Sequence, residues 1–246
     1  DRLIAIKGGR GTGKTTLILQ HIKKNFTPGP EVLYASLDDI YFTANRLVDV
    51  ADDFVKRGGR FLFLDEVHKY PGWSREIKNL YDVHRDLKIV FTGSSMLQIL
   101  KGDVDLSRRA VVYEMQGLSF REYIEIEHGI RLSTVTLHDM LKNHVAVASD
   151  IAEKVKPIAS FRNYLKYGYY PYFKENKNTY HQRLASTINL VIEADLPAIE
   201  RVDYSTVQKL KKLLYIIATA VPFKPNVQKL SEQIHSTRGT TLQYFD

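Results

Sequence analysis

The sequence predicts an α/β fold, with a parallel sheet in the first half of the 246-residue chain and helices alone in the second half. Three observations lead to this prediction. An apolar run enters a glycine-rich turn at residues 8–15 and leaves it with helical periodicity. Further short apolar runs end in polar residues, as buried parallel strands do at their carboxyl ends. Beyond residue 129, apolar residues recur at helical spacing between prolines.

The first half of the chain alternates strand and helix. The predicted strands are residues 3–6, 31–36, 60–64, 87–91 and 110–115. The first helix extends to about residue 26, and the second covers about residues 42–56 and ends before Gly58 and Gly59. In the second half, the predicted helices are residues 137–142, 144–154, 158–167, 180–193, 206–221, 227–234 and 239–245.

Residues 8–15 read Gly-Gly-Arg-Gly-Thr-Gly-Lys-Thr, a complete Walker A phosphate loop between a strand and a helix. Such a turn aims several backbone N–H groups at one point, where the positive end of the helix dipole also points. Lys14 is placed to reach the β- and γ-phosphates of a nucleoside triphosphate, and the Thr15 hydroxyl to ligate Mg²⁺. The predicted nucleotide-binding residues of the loop are Gly8, Gly9, Arg10, Gly11, Thr12, Gly13, Lys14, Thr15 and Thr16.

A carboxylate pair, Asp65 and Glu66, follows the apolar run at residues 61–64. The carboxyl end of a parallel strand is the edge at which open α/β sheets bind ligands. Asp65 is expected to hold Mg²⁺ directly or through water, and Glu66 to polarise the water that attacks the γ-phosphorus. The pair is a Walker B motif, and it predicts hydrolysis of the triphosphate.

Polar residues also follow the fourth predicted strand, where Thr92 and Ser94 emerge beside the expected γ-phosphate. One of the two is expected to sense that phosphate, although hydroxyls after a strand more often form a turn or a helix cap. Before the fifth strand, Arg108 and Arg109 are candidates for fingers that stabilise charge on the nucleotide.

Together these motifs resemble the AAA+ superfamily, and more narrowly the prokaryotic AAA-type ATPases with a winged-helix region after the ATPase core. The phrases that carry the resemblance lie at residues 8–15, 61–73, 90–95, 106–113, 117–123 and 167–171. The resemblance implies a P-loop NTPase core whose parallel five-stranded sheet has the order 5-1-4-3-2, followed by a small helical lid. It also implies ATP and Mg²⁺ as cofactors, and arginine fingers that act across a subunit boundary in a homo-oligomer.

The resemblance assigns roles as follows: Lys14 and Thr15 are the Walker A pair, Asp65 and Glu66 the Walker B pair, Thr92 or Ser94 sensor 1, and Arg108 or Arg109 the finger. The sequence departs from the superfamily in having no clear sensor 2 arginine, although Arg162 lies in a predicted lid helix. Residues 168–171 are similar to a turn that touches the nucleotide in signalling ATPases of this superfamily. Tyr169, Tyr170 and Pro171 are therefore candidates to press on adenine, with packing of an aromatic helix end as the alternative.

Taken with the helical pattern after residue 129, the resemblance implies three regions: an ATPase core at residues 1–129, a helical lid at 130–200, and a helical segment at 201–246 that ends in a partial winged helix. The last two helices have helix-turn-helix spacing. We expect Leu230, Ile234, Leu242 and Phe245 to face inward, and Arg238, Thr240, Thr241 and Gln243 to meet double-stranded DNA. Any packed helix pair has similar spacing, and winged helices also bind proteins, so DNA binding stays one of two alternatives.

Composition and charge limit the remaining classes. The net charge of +7 favours an anionic partner such as nucleic acid, but such a charge is also common on solvated surfaces. The chain has no cysteine and its eight histidines lack ligand spacing, so no metal other than Mg²⁺ is expected. The apolar stretch at residues 213–221 is shorter than the ~20 residues of a membrane span. We expect a cytoplasmic protein without a membrane partner.

Two functions from different classes fit these observations. The first is an ATPase that couples ATP hydrolysis to rearrangement of the lid and winged helix. The second is a slow-turnover module that binds ATP and uses its exchange to control a protein partner. Glu66 distinguishes them, because only hydrolysis needs it. A two-domain helicase ranks lowest, although residues 65–68 read Asp-Glu-Val-His, because the second half does not repeat the α/β pattern.

Overall fold

The computed structural model describes residues 1–94, 106, 108–199, 202–220 and 223–245. The chain divides into two compact units, Asp1–Tyr180 and His181–Asp246. This division falls after residue 180, and the region boundaries expected after residues 129 and 200 stay predictions. Each unit is described by itself below.

The first unit is built on a sheet of five parallel strands. The strands are β1 (Leu3–Gly8), β2 (Val32–Ser36), β3 (Phe61–Asp65), β4 (Lys88–Ser94) and β5 (Val111–Met115). Their order across the sheet is β2-β3-β4-β1-β5. This architecture confirms the α/β prediction. It also confirms the order 5-1-4-3-2 that the resemblance implies, since that is the same order read from the opposite edge.

The register of the central strands places the Walker B aspartate beside β4. β3 is buried at every position after its first, as a strand covered on both faces requires. Leu64 of β3 pairs with Phe91 of β4, and Asp65 pairs with Ser36 of β2. Asp65 and Thr92 are the next residues along β3 and β4. The sheet therefore brings both polar side chains to its carboxyl edge.

The helices of the sheet-containing part are α1 (Lys14–Asn25), α2 (Leu47–Lys56), α3 (Trp73–Val83) and α4 (Phe120–His128). The helix predicted at residues 42–56 begins later, because a 3-10 turn at Ile40–Thr43 precedes it. The sequence analysis did not predict α3. Its buried residues Ile77 and Leu80 have helical spacing, and Gly72, with φ of 75°, starts the helix.

The amino end of α2 is completed by side chains from the segment that follows β3. Its N-cap residue, Arg46, makes no side-chain capping bond. Instead, the Leu47 N–H donates to the Tyr70 hydroxyl at 3.3 Å, and the Val48 N–H donates to Glu76 Oε2 at 3.1 Å. The Tyr70 hydroxyl donates in turn to Glu76 Oε1 at 3.3 Å. These bonds satisfy N–H groups that a helix start leaves open, and they tie α2 to the Walker B segment.

The rest of the first unit is helical. α5 (Leu137–Lys154) covers the two helices predicted at 137–142 and 144–154, which join at Asn143 with the non-helical angles φ −126° and ψ 22°. α6 (Pro157–Asn163) begins with proline, which suits a helix start, and continues into a π-helical turn at Tyr164–Gly168. A short 3-10 turn at Pro171–Lys174 then leads toward the second unit.

The described residues of the second unit form helices and turns without a strand. Its helices are α7 (Tyr180–Leu190), which begins at the last residue of the first unit, α8 (Leu196–Ile199), α9 (Tyr204–Thr219), α10 (Val227–Gln233) and α11 (Arg238–Gln243). Leu213, in the apolar stretch of α9, packs in a buried cluster with Leu230 and Ile234. Across all parts of the chain that the structure describes, none of the helices has both the length and the apolar character that a membrane crossing requires.

The last helix pair faces differently from the prediction. Leu230 and Ile234 are buried, as expected. Leu242 and Phe245 are 46% and 44% exposed, so their predicted inward orientation is wrong. The inward face instead carries residues 241 and 244, which lie three residues apart on one side of the helix, and Tyr244 packs against the buried cluster.

Thr241 occupies that inward face of α11 and is fully buried. Its hydroxyl donates to the carbonyl oxygen of Thr237 at 2.9 Å, so the polar group is satisfied within the helix. The expected contact between Thr241 and DNA is therefore wrong. Arg238 and Gln243 are exposed, and Thr240 is half-buried.

Replacing Tyr70 by Phe is expected to lower the free energy of unfolding of the first unit by about 1–3 kcal/mol, because the Leu47 N–H loses its partner. Urea unfolding followed by the fluorescence of Trp73, the only tryptophan, measures this change. Tyr41→Phe is the matched control, since Tyr41 is 52% exposed. Equal stability of the two variants would contradict the capping role of Tyr70.

Candidate nucleotide-binding site

The phosphate loop joins β1 to α1 and has the backbone of an anion-binding turn. Gly11 and Gly13 have φ angles of +82° and +102°, which glycine adopts without strain. A methyl group on Gly8 would lie 2.4 Å from the carbonyl oxygen of Met115. α1 begins at Lys14, after a cap without a side-chain hydrogen bond, and has no acidic residue in its first turn. These features leave the positive end of α1 suited to a phosphate.

Lys14 is held inside this loop. Its side chain is buried, and Nζ donates to the carbonyl oxygens of Gly8 and Gly9, each at 3.0 Å. Burial lowers the pKa of Lys14, while the nearby carboxylates of Glu66 and Asp65 oppose that shift. The ammonium group therefore lies where the phosphate loop and the carboxylate pair meet.

The other loop residues predicted to bind nucleotide differ in exposure. Thr12 is buried, and its hydroxyl donates to the carbonyl oxygen of Gly9 at 2.8 Å, which closes the turn. Arg10 is half-buried and Thr16 is exposed on the first turn of α1. The loop is thus braced by Thr12 and presents Thr16 to solvent.

The carboxylate of Asp65 joins the phosphate loop to the sheet. Its Oδ2 accepts hydrogen bonds from the hydroxyls of Thr15 at 2.6 Å and Tyr34 at 3.0 Å. Its Oδ1 accepts from the Thr92 hydroxyl, and from the Glu66 N–H at 3.1 Å. Asp65 is only 2% exposed. The threonine of Walker A and the aspartate of Walker B are therefore in direct contact.

Tyr34, on β2, is a member of this cluster that the sequence analysis missed. Burial, and then the charge and hydrogen bond of Asp65, raise the pKa of the Tyr34 hydroxyl to about 12. The group therefore stays protonated near neutral pH and donates to the carboxylate. The signal that would have revealed it is a tyrosine near the end of the strand beside Walker B, which is usable only once the strand order is known.

Glu66 has a left-handed backbone conformation, with φ of 53° and ψ of 39°. Such strain in a residue other than glycine is concentrated at functional sites. Its N–H also lies 3.2 Å from the Thr92 hydroxyl oxygen. Its carboxylate Oε2 lies 3.5 Å from Nε2 of His68, and the side chain is 24% exposed. Glu66 is thus partly open to water, next to the buried Asp65.

The two hydroxyls predicted as the phosphate sensor have different outcomes. Thr92 is fully buried and donates to Asp65, so it belongs to the carboxylate cluster at the sheet edge. Ser94 is the last residue of β4, and its side chain lies outside the described residues. The sensing role itself stays a prediction for both.

The two arginines predicted as fingers also differ. Arg108 is exposed. Arg109 donates from Nε to Asp82 Oδ1 at 2.9 Å and from Nη2 to Asp82 Oδ2 at 3.3 Å. This bidentate ion pair directs Arg109 toward α3 of its own chain, whereas Arg108 faces solvent.

Residues 168–172, which we call the 168–172 segment, pack on the phosphate loop. The rings of Tyr170 and Tyr172 are stacked, with centroids 5.2 Å apart and planes 12° apart. A methyl group on Gly11 would lie 3.1 Å from Tyr172 Cε1 and 3.6 Å from Tyr170 Cδ1. The tyrosine pair therefore lies against the turn of the loop, and the sequence analysis did not single out Tyr172.

Pro171 and Tyr169, which together with Tyr170 were the candidates to touch adenine, have distinct neighbours. Pro171 Cγ lies 3.4 Å from the position of a methyl group on Gly13. The ring of Tyr169 instead covers Gly117, where an added methyl group would lie 2.5 Å from Tyr169 Cε1. The Tyr169 carbonyl oxygen accepts from the Leu118 N–H at 2.8 Å. Pro171 thus adjoins the loop, and Tyr169 packs beside the end of β5.

The oxygen donors at the sheet edge fit a magnesium ion that arrives with phosphate. Mg²⁺ prefers oxygen ligands and is usually held by one or two carboxylates together with substrate phosphates. Thr15 and Asp65 supply a hydroxyl and a carboxylate in contact. Among the residues whose placement is described, no group of three or more His, Asp or Glu side chains could hold a metal by itself. Phosphate oxygens would complete the coordination.

Comparison with known families matches residues 1–124, which are 124 of the 246 residues, to the AAA domain. The chain belongs to the AAA domain family. This membership confirms the resemblance to AAA+ P-loop ATPases. The matched region contains the phosphate loop, the carboxylate pair and Thr92, whereas the 168–172 segment lies beyond it.

Relatives of this AAA domain chain include the uncharacterized protein MJ1637 of Methanocaldococcus jannaschii. The two are 27% identical over 258 residues, which cover 99% of the chain and 54% of MJ1637. The chain thus spans about half the length of the curated relative it matches. Among solved structures, the structure of C. elegans PCH-2 is similar over 51% of the chain and 38% of PCH-2, with 20% identity and a TM-score of 0.35.

Replacing Gly8 by Ala is expected to destabilise the nucleotide-free AAA domain, because the new methyl group would meet the backbone of β5. Overpacking of this kind costs about 1–3 kcal/mol. Gly9→Ala is the matched control, since its methyl group would lie 3.5 Å from Thr12 Cγ2. Thermal unfolding should show a lower Tm for the Gly8 variant alone. The same Tm for both variants would contradict the close approach of β1 and β5.

Proposed function

We propose that the chain binds Mg-ATP and hydrolyses it, and that the nucleotide state is coupled to the 168–172 segment. The observation that carries the proposal is the 2.6 Å contact between the Thr15 hydroxyl and Asp65 Oδ2. It unites the two halves of a nucleotide site, which come from residues far apart in the sequence. Membership of an ATPase family supports the same reaction class.

The residues of the site divide the work by their position. The N–H groups at the start of α1 and the Lys14 ammonium bind the phosphates. Thr15 and Asp65 hold the magnesium, which neutralises charge on the phosphate oxygens when it is bound. Glu66, next to Asp65 and partly exposed, orients the attacking water and accepts its proton. Thr92, which contacts both Walker B residues, links their positions to β4.

Packing of the 168–172 segment supports coupling of nucleotide and lid. Tyr172 lies against Gly11 and Pro171 against Gly13, so a change in the loop on phosphate binding presses directly on this segment. The segment is joined to the π-helical turn Tyr164–Gly168 and, through it, to α6. The helices at residues 130–200 are the part that we propose moves as a lid.

A slow-turnover switch is the second candidate, and the position of Glu66 favours it. Its carboxylate lies 3.5 Å from His68 Nε2. In that position the His68 ring competes with water for the carboxylate, which slows hydrolysis while ATP stays bound. In this alternative, exchange of ATP rather than hydrolysis controls a protein partner.

Replacing Glu66 by Gln is expected to reduce ATP turnover by about 10²–10⁴-fold and to leave ATP affinity unchanged, because the amide cannot accept the proton of the attacking water. Phosphate release at saturating Mg-ATP measures turnover, and calorimetry measures affinity. Glu153→Gln, at an exposed position on α5, is the matched control. Turnover that is equal in wild type and the Glu66 variant would reject hydrolysis through Glu66 and favour the switch.

Arg108 is the proposed finger, because it is exposed while Arg109 is paired with Asp82. Arg108→Ala is expected to reduce turnover by ~10³-fold or more with nucleotide affinity preserved. Arg109→Ala is expected to reduce turnover less, because it removes only a half-exposed ion pair worth about 0–1 kcal/mol. Mixing the Arg108 variant with Lys14→Ala tests the proposed homo-oligomer, since recovered turnover requires a site shared between subunits. Wild-type turnover in the Arg108 variant, or a larger loss in the Arg109 variant, would contradict this assignment.

The helix pair of the second unit is the proposed start of a winged helix. Arg238 and Gln243 of α11 are exposed and supply a cation and an amide, side chains that contact phosphate and base edges in double-stranded DNA. We expect the chain to bind duplex DNA, and we expect this binding to weaken as salt is added. If Arg238→Ala binds duplex DNA as tightly as the wild type, the α11 surface does not bind DNA. A protein partner is then the remaining candidate for this surface.

A further inference from the structure

The Tyr34 hydroxyl shares an oxygen of Asp65 with the Walker A threonine. Tyr34 lies 3.0 Å from Asp65 Oδ2, and the Thr15 hydroxyl lies 2.6 Å from the same oxygen. The two donors come from opposite sides, since Tyr34 belongs to β2 and Thr15 to the first turn of α1. Oδ2 is therefore fixed between the sheet and the phosphate loop.

The sheet register explains how the ring reaches this position. Ser36 is the residue of β2 that pairs with Asp65. Tyr34 lies two residues earlier, so its side chain is on the same face of the sheet as that of Ser36. A tyrosine side chain is long enough to cross to the diagonal neighbour on the next strand, where a serine or threonine at position 34 would be too short. The hydroxyl thus arrives at Asp65 from a strand that carries no Walker residue.

Burial of Asp65 raises the cost of losing the hydrogen bond from Tyr34. Asp65 is 2% exposed, so water has little access to replace a donor that is lost. Thr92 and the Glu66 N–H occupy Oδ1, and they leave Tyr34 as the donor that fixes Oδ2 from the sheet side. Partners that hydrogen-bond a ligating carboxylate orient it toward its metal.

We propose that Tyr34 is a positioning residue for magnesium: its hydroxyl holds the Asp65 carboxylate in the orientation that meets Thr15, an inference that rests on the proposed Mg-ATP function. In this proposal Tyr34 acts through Asp65 and not by contact with the nucleotide. Its effect is confined to the increase in ATP affinity that magnesium produces. A residue that only supports the fold would instead change ATP affinity equally with and without magnesium.

Calorimetric titration with ATP, in excess Mg²⁺ and separately in EDTA, measures this increase. Tyr34→Phe keeps the ring and removes only the hydroxyl. We expect it to reduce the magnesium-dependent increase in affinity by ~10-fold or more, with the affinity in EDTA unchanged. Tyr113→Phe is the matched control, because Tyr113 lies on β5 of the same sheet and is 54% exposed. It is expected to behave as the wild type in both titrations.

The same titrations with Asp65→Asn decide whether Tyr34 acts through the aspartate. In that background, adding Tyr34→Phe is expected to cause no further loss of the magnesium effect. An equal loss of affinity with and without Mg²⁺ would mark a purely structural role and overturn the inference. A magnesium effect in Tyr34→Phe that equals or exceeds that of the wild type would also overturn it. So would a full further loss of the magnesium effect when Tyr34→Phe is added to Asp65→Asn. If the wild type binds ATP in neither titration, the proposed function fails and this inference fails with it.

Discussion

The hydrogen bond between the Thr15 hydroxyl and the Asp65 carboxylate is the interaction on which the site depends. It joins the start of α1 to the end of β3, so the phosphate loop and the carboxylate pair form one structure. A buried carboxylate without partners is costly, and here each oxygen has two donors. The order β2-β3-β4 makes this possible, because a strand on either side of β3 contributes one hydroxyl.

The core could be predicted from sequence because its signals are local. Gly11 and Gly13 stand at the positions of the phosphate loop where the backbone has positive φ, which glycine adopts without strain. The apolar run before Asp65 is long enough to mark a strand that is covered on both faces. The break between the two halves of α5 was also local, since Asn143 carries the non-helical angles. The strand order came from the resemblance, and membership of the AAA domain family agrees with it.

The residues that were missed depend on contacts between distant parts of the chain. Tyr34 is recognisable only when β2 is known to lie beside β3, and Tyr172 only when its segment is seen against Gly11. α3 was missed because only two of its residues, Ile77 and Leu80, are buried, which is too few to show a helical period in the sequence. The inward face of α11 was wrong because apolar character pointed to Leu242, whereas the buried position holds Thr241, whose hydroxyl is satisfied by the Thr237 carbonyl oxygen. Adjacent residues lie about 100° apart around a helix, so the two positions are on different faces.

The central claim is that magnesium and ATP bind together where Thr15 meets Asp65. Calorimetric titration of wild type and Thr15→Ala with ATP, with and without Mg²⁺, tests it most directly. The account predicts that Mg²⁺ strengthens ATP binding by the wild type, and that Thr15→Ala loses this gain while it keeps the weaker binding seen in EDTA. Absence of ATP binding by the folded wild type, or a magnesium effect that survives in Thr15→Ala, would contradict it.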